Sequence, residues 1–292
     1  MKTAVVGGLT IDLFGDEQVV GGPAWYAGTA AASTGLAVSV FSAVGEDYPE
    51  RFIATMKQLG IDVSSVIRIA GASSSVFRHQ YTATGRKSRL LSQGPTIPVK
   101  LLESLDTDIA LLSPVFKEAD EQHLKLIKNR AGMTALDLQG LIRDADESGN
   151  IRLVHRDVSR FLQLADVVHC SDEEALVLAG VKDLVEAVAN IGRQVGGIFM
   201  VGSRKGLFLV EKNFLTFFEE ASSRDVVDAT GAGDMLTAFF ISFVSRGYSA
   251  EDAAASALGL LRHALENPPP YRVTQCPPAP VIPARVAWSR SV

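Results

Sequence analysis

The sequence predicts an α/β fold in which a doubly wound, mainly parallel sheet has helices on both faces and a small β lid beside it. Short β-branched runs alternate with longer helical patterns along the chain. With 292 residues, of which 47% are apolar and 21% charged, the chain can bury a substantial core. We expect residues 1–292 to form a single domain, with the lid built from residues 9–20 and 70–95.

Apolar runs that are short and rich in β-branched residues predict buried strands. They are residues 3–6, 38–41, 109–112, 134–137, 167–169, 198–201 and 207–210. Helical patterns lie at residues 23–34, 49–59, 119–129, 173–179, 184–195 and 250–265. Sites in such sheets lie beyond the carboxyl ends of the strands. Because Asp137, Ser171, Gly202 and Asp234 follow predicted strands or begin the next helix, we expect them to share one site.

Residues 75–82 interrupt this alternation with a period-two pattern, and a turn at 83–87 could return the chain through 88–91. Phe77, His79 and Tyr81 would share one face of this hairpin. We expect it to act as a lid over a substrate. A homodimer contact and a plain surface hairpin are the alternatives.

Composition disfavours several classes of protein. The net charge of −5 argues against nucleic acid as a partner, and the apolar start at residues 1–8 is too short to span a membrane. Cys170 and Cys276 lack a metal-ligand spacing, so we interpret them as free thiols in a reducing compartment, the cytoplasm. The Pro-rich residues after Glu266 predict an extended segment packed over the surface, with a proline-motif ligand as the alternative.

Residues 226–240 predict an anion site. Asp228, Thr230 and a Gly-Ala-Gly turn lead into an apolar run typical of a helix. Small residues expose backbone N–H groups, and the helix N-terminus adds unpaired donors and a positive dipole end. Since Thr230 or Asp228 could cap the helix, Asp234 is available as a base beside a bound phosphate. A plain turn before a core helix is the alternative.

Residues 228–234 resemble the signature of the ribokinase-like (PfkB) family of carbohydrate kinases. The resemblance implies an α/β sandwich with a β lid, and transfer of the γ-phosphoryl group of ATP to a sugar, polyol or nucleoside hydroxyl. It implies that Asp234 accepts the proton of the attacking hydroxyl. The N–H groups of Gly231, Ala232 and Gly233 would form the anion hole around the transferred group.

Asp228 and Thr230 match positions that help to bind a monovalent cation in some members of the family, and bracing the turn is their alternative role. Near the N-terminus, Asp12 lies in a segment that resembles the family's first substrate strand, where it would bind substrate hydroxyls. Gly21 and Gly22 resemble the diglycine segment that opens a helix under the substrate. A simple turn before a helix would look the same.

Ser171 and Glu174 occupy the place of the family's Asn-x-x-Glu motif, with Ser171 in place of the usual Asn. The resemblance implies that Glu174 orients water around Mg²⁺ or acts near the phosphates, and Asp172 could partly substitute for the Asn. Capping of the following helix is the alternative, and it can coexist with metal binding.

Residues 201–206 resemble the family's nucleotide loop. Gly202 and Gly206 would let the backbone approach ATP, and Ser203 and Lys205 could contact phosphate. A plain hairpin turn is the alternative. Asn267 lies where the family often contacts the adenine or ribose.

Departures from ribokinase itself bear on the acceptor. The diglycine helix usually carries an Asn where this chain has Tyr26, preceded by Trp25, and aromatic faces suit the C–H faces of a ring. Residues 113–115 and 137–143 are similar to the archaeal myo-inositol kinase branch. Gln139 could pair with ring hydroxyls, and Arg143 could hold a hydroxyl or a phosphate. A surface salt bridge is the alternative for Arg143.

The residues and the resemblance together predict an ATP- and Mg²⁺-dependent kinase, with a monovalent cation as an optional addition. The preferred acceptor is a small polyol such as myo-inositol. A sugar or nucleoside kinase of the same family is the first alternative. A catalytically inactive relative that binds a ligand is the second.

Overall fold

The computed structural model describes residues 1–82, 85–219, 228–267 and 283–292. The strands are β1 (Lys2–Gly7), β2 (Thr10–Phe14), β3 (Glu17–Gly21), β4 (Ala37–Gly45), β5 (Asp62–Ile69), β6 (Ser75–Thr82), β7 (Gly85–Ser92), β8 (Thr107–Ser113), β9 (Ala131–Asp137), β10 (Arg143–Ala145), β11 (Ile151–Leu153), β12 (Val167–Ser171), β13 (Ile198–Ser203), β14 (Gly206–Glu211), β15 (Phe214–Glu219) and β16 (Arg285–Ser291). The helices are α1 (Pro23–Ser33), α2 (Glu50–Gln58), α3 (Glu121–Lys128), α4 (Ser159–Leu164), α5 (Asp172–Ala179), α6 (Leu184–Gly192), α7 (Ala232–Val244) and α8 (Ala250–Leu265).

A ten-stranded sheet organises the chain in the order β16–β15–β14–β13–β12–β9–β8–β1–β4–β5. Pairing is parallel from β13 through to β5 and antiparallel from β13 to β16. The prediction of a mainly parallel sheet is therefore confirmed. The run 207–210 differs from the other predicted strands, because β14 turns back on β13 instead of crossing over to a parallel position.

Helices cover both faces of this sheet, as the doubly wound prediction requires. One core cluster gathers apolar side chains of α1, α2, α7 and α8, for example Trp25 and Phe239. The other gathers those of α3, α4, α5 and α6, for example Leu124 and Val188. Cys170 lies in the second cluster as a buried free thiol whose pKa is raised by burial.

A second, four-stranded sheet lies beside the first in the order β3–β2–β6–β7. It contains the predicted hairpin, since β6 and β7 pair antiparallel from Val76 and Ser92 to Thr82 and Gly85. The β2–β3 hairpin adds to it through parallel pairing of β2 with β6. We call these four strands the lid sheet. The chain enters it directly from β1, so the first strand of the large sheet leads straight to Asp12.

Several elements go beyond the sequence prediction. Strand β5 carries Ser64, Ser65 and Arg68 and so lacks an apolar run. The Pro-rich prediction falls mostly on residues 268–282, which lie outside the described residues together with Cys276. Residues 285–291 after that segment form an edge strand on β15. No helix among the described residues is long and apolar enough to cross a membrane.

Candidate active site

The Gly-Ala-Gly turn forms the start of helix α7. Gly231 is its N-cap residue in the left-handed region, at φ 75°. The expectation that Thr230 or Asp228 caps this helix is wrong, because within the described residues no side chain caps it. Oδ1 of Asp228 instead accepts hydrogen bonds from the N–H (2.7 Å) and the hydroxyl (2.6 Å) of Thr230, which braces the turn. The positive end of α7 is therefore not capped by any side chain of the described residues.

Both aromatic residues of the α1 pair, Trp25 and Tyr26, are buried in the same core cluster. A Cβ at Gly231 would overlap the ring carbons of Tyr26, so this ring packs directly on the turn. Trp25 is 0% exposed and lies in the core, because α1 is buried along its first nine residues. Tyr26 lies beside the Gly-Ala-Gly turn, but at 2% exposure it is buried as well, so neither ring has more than a trace of exposed surface to present to a substrate.

Asp234 lies in the first turn of α7 and is only 7% exposed. The Oγ of Ser113, at the carboxyl end of β8, donates a hydrogen bond to its Oδ1 (3.1 Å). Burial and the charge of Asp137 raise the pKa of Asp234 to about 7, against the opposing effects of Ser113, Arg143 and His169. A general base with a pKa near the working pH accepts a proton most effectively.

A buried histidine connects the turn to neighbouring strands. Nδ1 of His169 lies 2.7 Å from Oδ2 of Asp137, and β9 and β12 pair these two residues in register. A Cβ at Gly233 would approach the His169 ring to 2.8 Å, and one at Gly202 would approach its Nε2 to 3.2 Å. Burial lowers the pKa of His169, but Asp137, Glu174 and Asp234 together raise it. His169 thus places a proton-binding ring among three carboxylates.

Glu174 lies in the first turn of helix α5 and forms a capping box with Ser171. Its Oε2 accepts from the N–H of Ser171 (2.8 Å), and the hydroxyl of Ser171 accepts from the N–H of Glu174 (3.3 Å). Glu174 is 5% exposed, and burial and the charge of Asp137 raise its pKa. The capping role is therefore present, and the carboxylate also lies within electrostatic reach of Asp137 and His169.

The nucleotide-loop residues form a tight hairpin turn between β13 and β14. Ser203 pairs with Gly206, its hydroxyl donates to the carbonyl of Gly206 (3.0 Å), and Lys205 N–H donates to that hydroxyl (3.3 Å). Lys205 is exposed, whereas Gly202 lies beside His169. Asn267 follows α8 and donates its N–H to the carbonyl of Ala264 (3.1 Å). The residues after it lie outside the described part of the chain.

Asp12 is buried in the lid sheet, 4% exposed. Its Oδ1 accepts a hydrogen bond from the hydroxyl of Thr10 (2.6 Å), and its Oδ2 lies 3.2 Å from Nε2 of His79. A Cβ at Gly21 would overlap the Asp12 carboxylate, and one at Gly22 would overlap the carbonyl oxygen of Gly8. The two glycines therefore have different roles: Gly21 makes room for Asp12, and Gly22, at φ 91°, lets α1 begin against the end of β1.

Gln139 and Arg143 follow strand β9. The N–H of Gln139 donates to Oδ1 of Asp137 (2.9 Å), so this carboxylate holds both the turn and His169. Arg143 is partly buried, and its charge lowers the pKa values of Asp234, Glu174 and Glu118. Arg143 thus stabilises the ionised forms of buried carboxylates in the site. A surface salt bridge, the alternative role for Arg143, does not explain this effect on buried groups.

Four polar residues at this edge had been given no role by sequence reasoning: Ser113, Asp137, Glu118 and His169. Glu118 accepts from the N–H groups of Val115 (2.5 Å) and Phe116 (2.7 Å), and burial raises its pKa. The only sequence signal for Ser113, Asp137 and His169 is their place at or just after the ends of predicted strands, and Glu118 only precedes a predicted helix. The strand pattern therefore predicts that Asp137 belongs to the shared site, but it does not predict a chemical role for its carboxylate.

The donor set fits Mg²⁺ bound largely through substrate. Among the described residues no three His, Cys, Asp or Glu side chains gather closely enough to hold a metal by themselves. Mg²⁺ commonly keeps several waters and binds through one or two carboxylates plus substrate phosphates. Glu174 and Asp137 are suitable carboxylates for that mode.

The comparisons with known proteins agree with this geometry. Residues 13–260 match the family described as pfkB family carbohydrate kinase. No curated protein matches the sequence. A pyrophosphate-dependent kinase in the ribokinase family, complexed with a pyrophosphate analogue and myo-inositol, has 18% identity and a TM-score of 0.80, over 93% of this chain and 98% of that chain.

Two further solved structures are similar. Burkholderia thailandensis nucleoside kinase in complex with inosine has 16% identity and a TM-score of 0.73, with 91% of each chain covered. Arabidopsis thaliana ribokinase complexed with ribose and ATP has 17% identity and a TM-score of 0.69, over 91% of this chain and 92% of that chain. Because the family match spans most of the sequence and the folds agree, the chain belongs to the pfkB family of carbohydrate kinases, phosphotransferases that act on sugar or polyol hydroxyl groups.

Proposed function

We propose that this chain transfers the γ-phosphoryl group of ATP to a hydroxyl of a small cyclic polyol, with myo-inositol as the preferred acceptor. The observation that carries the proposal is Asp234. This carboxylate lies in the first turn of a helix whose N-terminus has no side-chain cap among the described residues, and its pKa of about 7 suits a base. Anion binding and proton acceptance are thus available within one helical turn.

In the proposed reaction Asp234 accepts the proton of the attacking hydroxyl as the hydroxyl oxygen bonds to the γ-phosphorus. The bond from that phosphorus to the bridging oxygen of ADP breaks, and ADP leaves with the electron pair. In the proposal the N–H groups of Gly231 and Gly233 would donate hydrogen bonds to the transferred group. The Ala232 N–H donates to the carbonyl of Ala229 (3.0 Å) in this conformation, so it joins the anion hole only if it gives up that bond.

The remaining residues have supporting roles in the proposal. Mg²⁺, held by the donor phosphates with Glu174 acting through water, would neutralise the charge that develops on the phosphoryl oxygens. Ser171 would position Glu174 through the capping box. The two hydrogen bonds from Thr230 to Asp228 support bracing of the turn more than cation binding.

The acceptor proposal draws on the lid sheet. The Asp12 carboxylate packs against the backbone of Gly21, and the next residue, Gly22, is the N-cap of α1. Tyr26 of α1 in turn packs against Gly231. A continuous set of contacts thus links the proposed acceptor carboxylate to the phosphoryl-transfer turn. Gln139 and Arg143 would complete the acceptor site from the large sheet. A solved relative that binds myo-inositol supports this choice of acceptor, and relatives that bind ribose or inosine define the alternatives.

The donor has a specific alternative in pyrophosphate. Similar structures include pyrophosphate-dependent kinases, at TM-scores of 0.80 and 0.81, and also a protein in complex with ATP and Mg²⁺, at 0.71. Both donors would bring a phosphoanhydride bond to the Gly-Ala-Gly turn. They differ because ATP also requires a binding site for its adenosine and pyrophosphate does not.

A screen of acceptors against both donors tests the proposal. Myo-inositol, ribose, fructose and inosine are incubated with ATP or pyrophosphate and Mg²⁺, and ³¹P NMR detects the phosphomonoester, with Asp234→Asn as the control. We expect the highest kcat/KM for myo-inositol with ATP, reduced by about 10²–10⁴-fold in Asp234→Asn. Turnover with pyrophosphate alone would make the donor assignment wrong. Preference for ribose or inosine would favour the sugar or nucleoside kinase. Acceptor binding by calorimetry without turnover would identify an inactive relative.

A further inference from the structure

A chain of polar side chains crosses the lid sheet, buried at Thr10, Asp12 and His79 and partly buried at Ser88. It runs from Ser88 on β7 through His79 on β6 to Asp12 and Thr10 on β2. Oγ of Ser88 lies 3.0 Å from Nδ1 of His79, Nε2 of His79 lies 3.2 Å from Oδ2 of Asp12, and Thr10 donates to Oδ1 of Asp12. Three strands of the lid sheet thus contribute to one polar group: β6 and β7 form one hairpin, and β2 is distant from them in sequence.

The His79 ring is fixed in its orientation. It packs between Phe14, at a centroid distance of 5.2 Å, and Phe77, which is parallel to it at 6.3 Å. An ionised Asp12 can only accept hydrogen bonds, so the tautomer that suits it carries the proton on Nε2. The hydroxyl of Ser88 then donates to Nδ1 and secures that tautomer.

Nε2 of His79 nevertheless has an incomplete hydrogen-bond set. Although it lies 3.2 Å from Oδ2 of Asp12, Nε2 makes no hydrogen bond to a described residue. His79 is 8% exposed, so bulk water does not complete the set. A buried donor without an acceptor is destabilising, because it has lost its hydrogen bonds to water and gained none in the protein.

A second buried donor lies near the same carboxylate. The hydroxyl of Tyr48 is buried and makes no hydrogen bond to a described residue. Burial raises the pKa of Tyr48, and the charge of Asp12 raises it further, which places the phenol within electrostatic reach of Asp12. Unsatisfied donors in a native structure require an explanation, and a bound ligand with oxygen atoms supplies one.

We propose that His79 is a further acceptor-binding residue, and that its Nε2–H and Oδ2 of Asp12 bind one hydroxyl of the acceptor between them. The hydroxyl accepts a hydrogen bond from His79 and donates one to Asp12, which is the pairing that a C–OH group can make. A ketone or an ether oxygen can accept but cannot donate, and a deoxy carbon does neither. This inference rests on the proposed function, because it assumes that Asp12 contacts the acceptor.

The test measures the coupling between one side chain and one hydroxyl. The kcat/KM values of myo-inositol and of its monodeoxy analogues are measured for the wild type, His79→Leu and His79→Gln. Gln80→Leu is the matched control, because Gln80 is the next residue of β6 and is exposed. The KM for ATP and the melting temperature are recorded for each variant, so that a general disturbance of the lid sheet is recognised.

We expect one deoxy position at which the wild type loses at least 100-fold in kcat/KM and His79→Leu loses less than 10-fold. His79→Gln, whose amide can donate from a similar position, should recover most of the discrimination, and Gln80→Leu should match the wild type. Equal penalties for every deoxy analogue in the wild type and His79→Leu would overturn the inference while leaving the kinase assignment in place. If the wild type neither binds nor phosphorylates any polyol, the proposed function fails and this inference fails with it.

Discussion

Asp234 shows how a buried carboxylate gains reactivity at the expense of stability. Burial and the charge of Asp137 raise its pKa from 3.8 to about 7 in the folded protein. The folded state therefore holds this proton more tightly than the unfolded state. Ionisation of Asp234 opposes folding, and the free energy of unfolding contributed by this group decreases as the pH rises from about 4 to about 7.

Replacement of Asp234 by Asn should therefore stabilise the fold while it removes activity. We expect the melting temperature of Asp234→Asn to exceed that of the wild type by an amount that grows between pH 4 and pH 7 and levels off above pH 7. Each kcal/mol corresponds to roughly 2–4 °C in a protein of this size range. Differential scanning calorimetry across this pH range checks the sign. A difference that shrinks toward pH 8 would contradict the raised pKa.

Ser113 tunes the same carboxylate. Its hydrogen bond to Oδ1 lowers the pKa of Asp234, so Ser113→Ala should raise that pKa further. Because the base acts only when it is deprotonated, kcat/KM should increase with pH through about 7 in the wild type and through a higher pH in Ser113→Ala. Ser104→Ala, at an exposed site, is the control. Superimposable pH profiles for Ser113→Ala and the wild type would show that Ser113 does not act on the base.

The sequence predicts the role of Asp234 but not its contact with Ser113 or the neighbouring pair of His169 and Asp137. Residues 228–234 are contiguous, so spacing alone indicates a turn followed by a helix with a carboxylate in its first turn. Ser113 and Asp234 are 121 positions apart and meet only because β8 ends beside the start of α7. His169 and Asp137 meet because β9 and β12 are neighbours in register, which the alternation of strands and helices does not specify.

At the scale of elements, the junction of α1 and α7 joins the acceptor side to the phosphoryl-transfer side. Tyr26 of α1 occupies the space that a side chain at position 231 would need. Position 231 thus requires glycine for two reasons: its backbone has a left-handed φ of 75°, and the Tyr26 ring leaves no room for a side chain. A second glycine that has a left-handed φ but no such close contact allows the two effects to be measured separately.

Gly35 follows α1, has a φ of 85° and would place its Cβ in open space. We expect Gly35→Ala to cost about 1–2 kcal/mol of stability from backbone strain alone, with kcat unchanged. Gly231→Ala should cost more stability and reduce kcat by at least 10-fold, because the turn must move away from Tyr26. Chemical denaturation and kinetics on both variants compare the effects. Equal losses of stability and unchanged kcat in the two variants would show that the ring contact does not position the turn.

The capping box of α5 is the element in which structure and function overlap. Ser171 and Glu174 satisfy each other's N–H groups, which accounts for both residues in terms of helix stability. Capping does not require that Glu174 be buried among charges, however, and its raised pKa reflects that burial together with the charge of Asp137. The position of the motif at the carboxyl end of β12 favours a second role near the donor phosphates.

At the scale of the whole molecule, the sequence predicted the large sheet better than the connection of the lid sheet to it. Alternating β and α patterns indicate parallel strands directly, and the predicted helix 250–265 coincides with α8. The short hairpin β10–β11 carries no strong pattern, yet it contacts the lid. Leu90 of β7 donates its N–H to the carbonyl of Gly149 (2.8 Å), and Arg89 forms a β-bridge with Asn150. The same hairpin begins at Arg143, so one element links the lid sheet to the buried carboxylates.

This connection makes Gly149 a test of lid docking. A Cβ at Gly149, whose φ is 82°, would overlap the carbonyl oxygen of Leu90, whereas one at Gly15, in the β2–β3 turn of the lid sheet at φ 63°, would meet open space. We expect Gly149→Ala to separate β7 from the hairpin, to raise the KM for the acceptor several-fold and to speed hydrogen exchange in residues 85–92. Gly15→Ala carries similar backbone strain without the clash, so its KM and exchange should stay close to those of the wild type. Since the clash is what distinguishes the two glycines, faster exchange in both variants would attribute the effect to strain within the lid sheet. Unchanged exchange in Gly149→Ala would show that the lid sheet keeps its position without this contact.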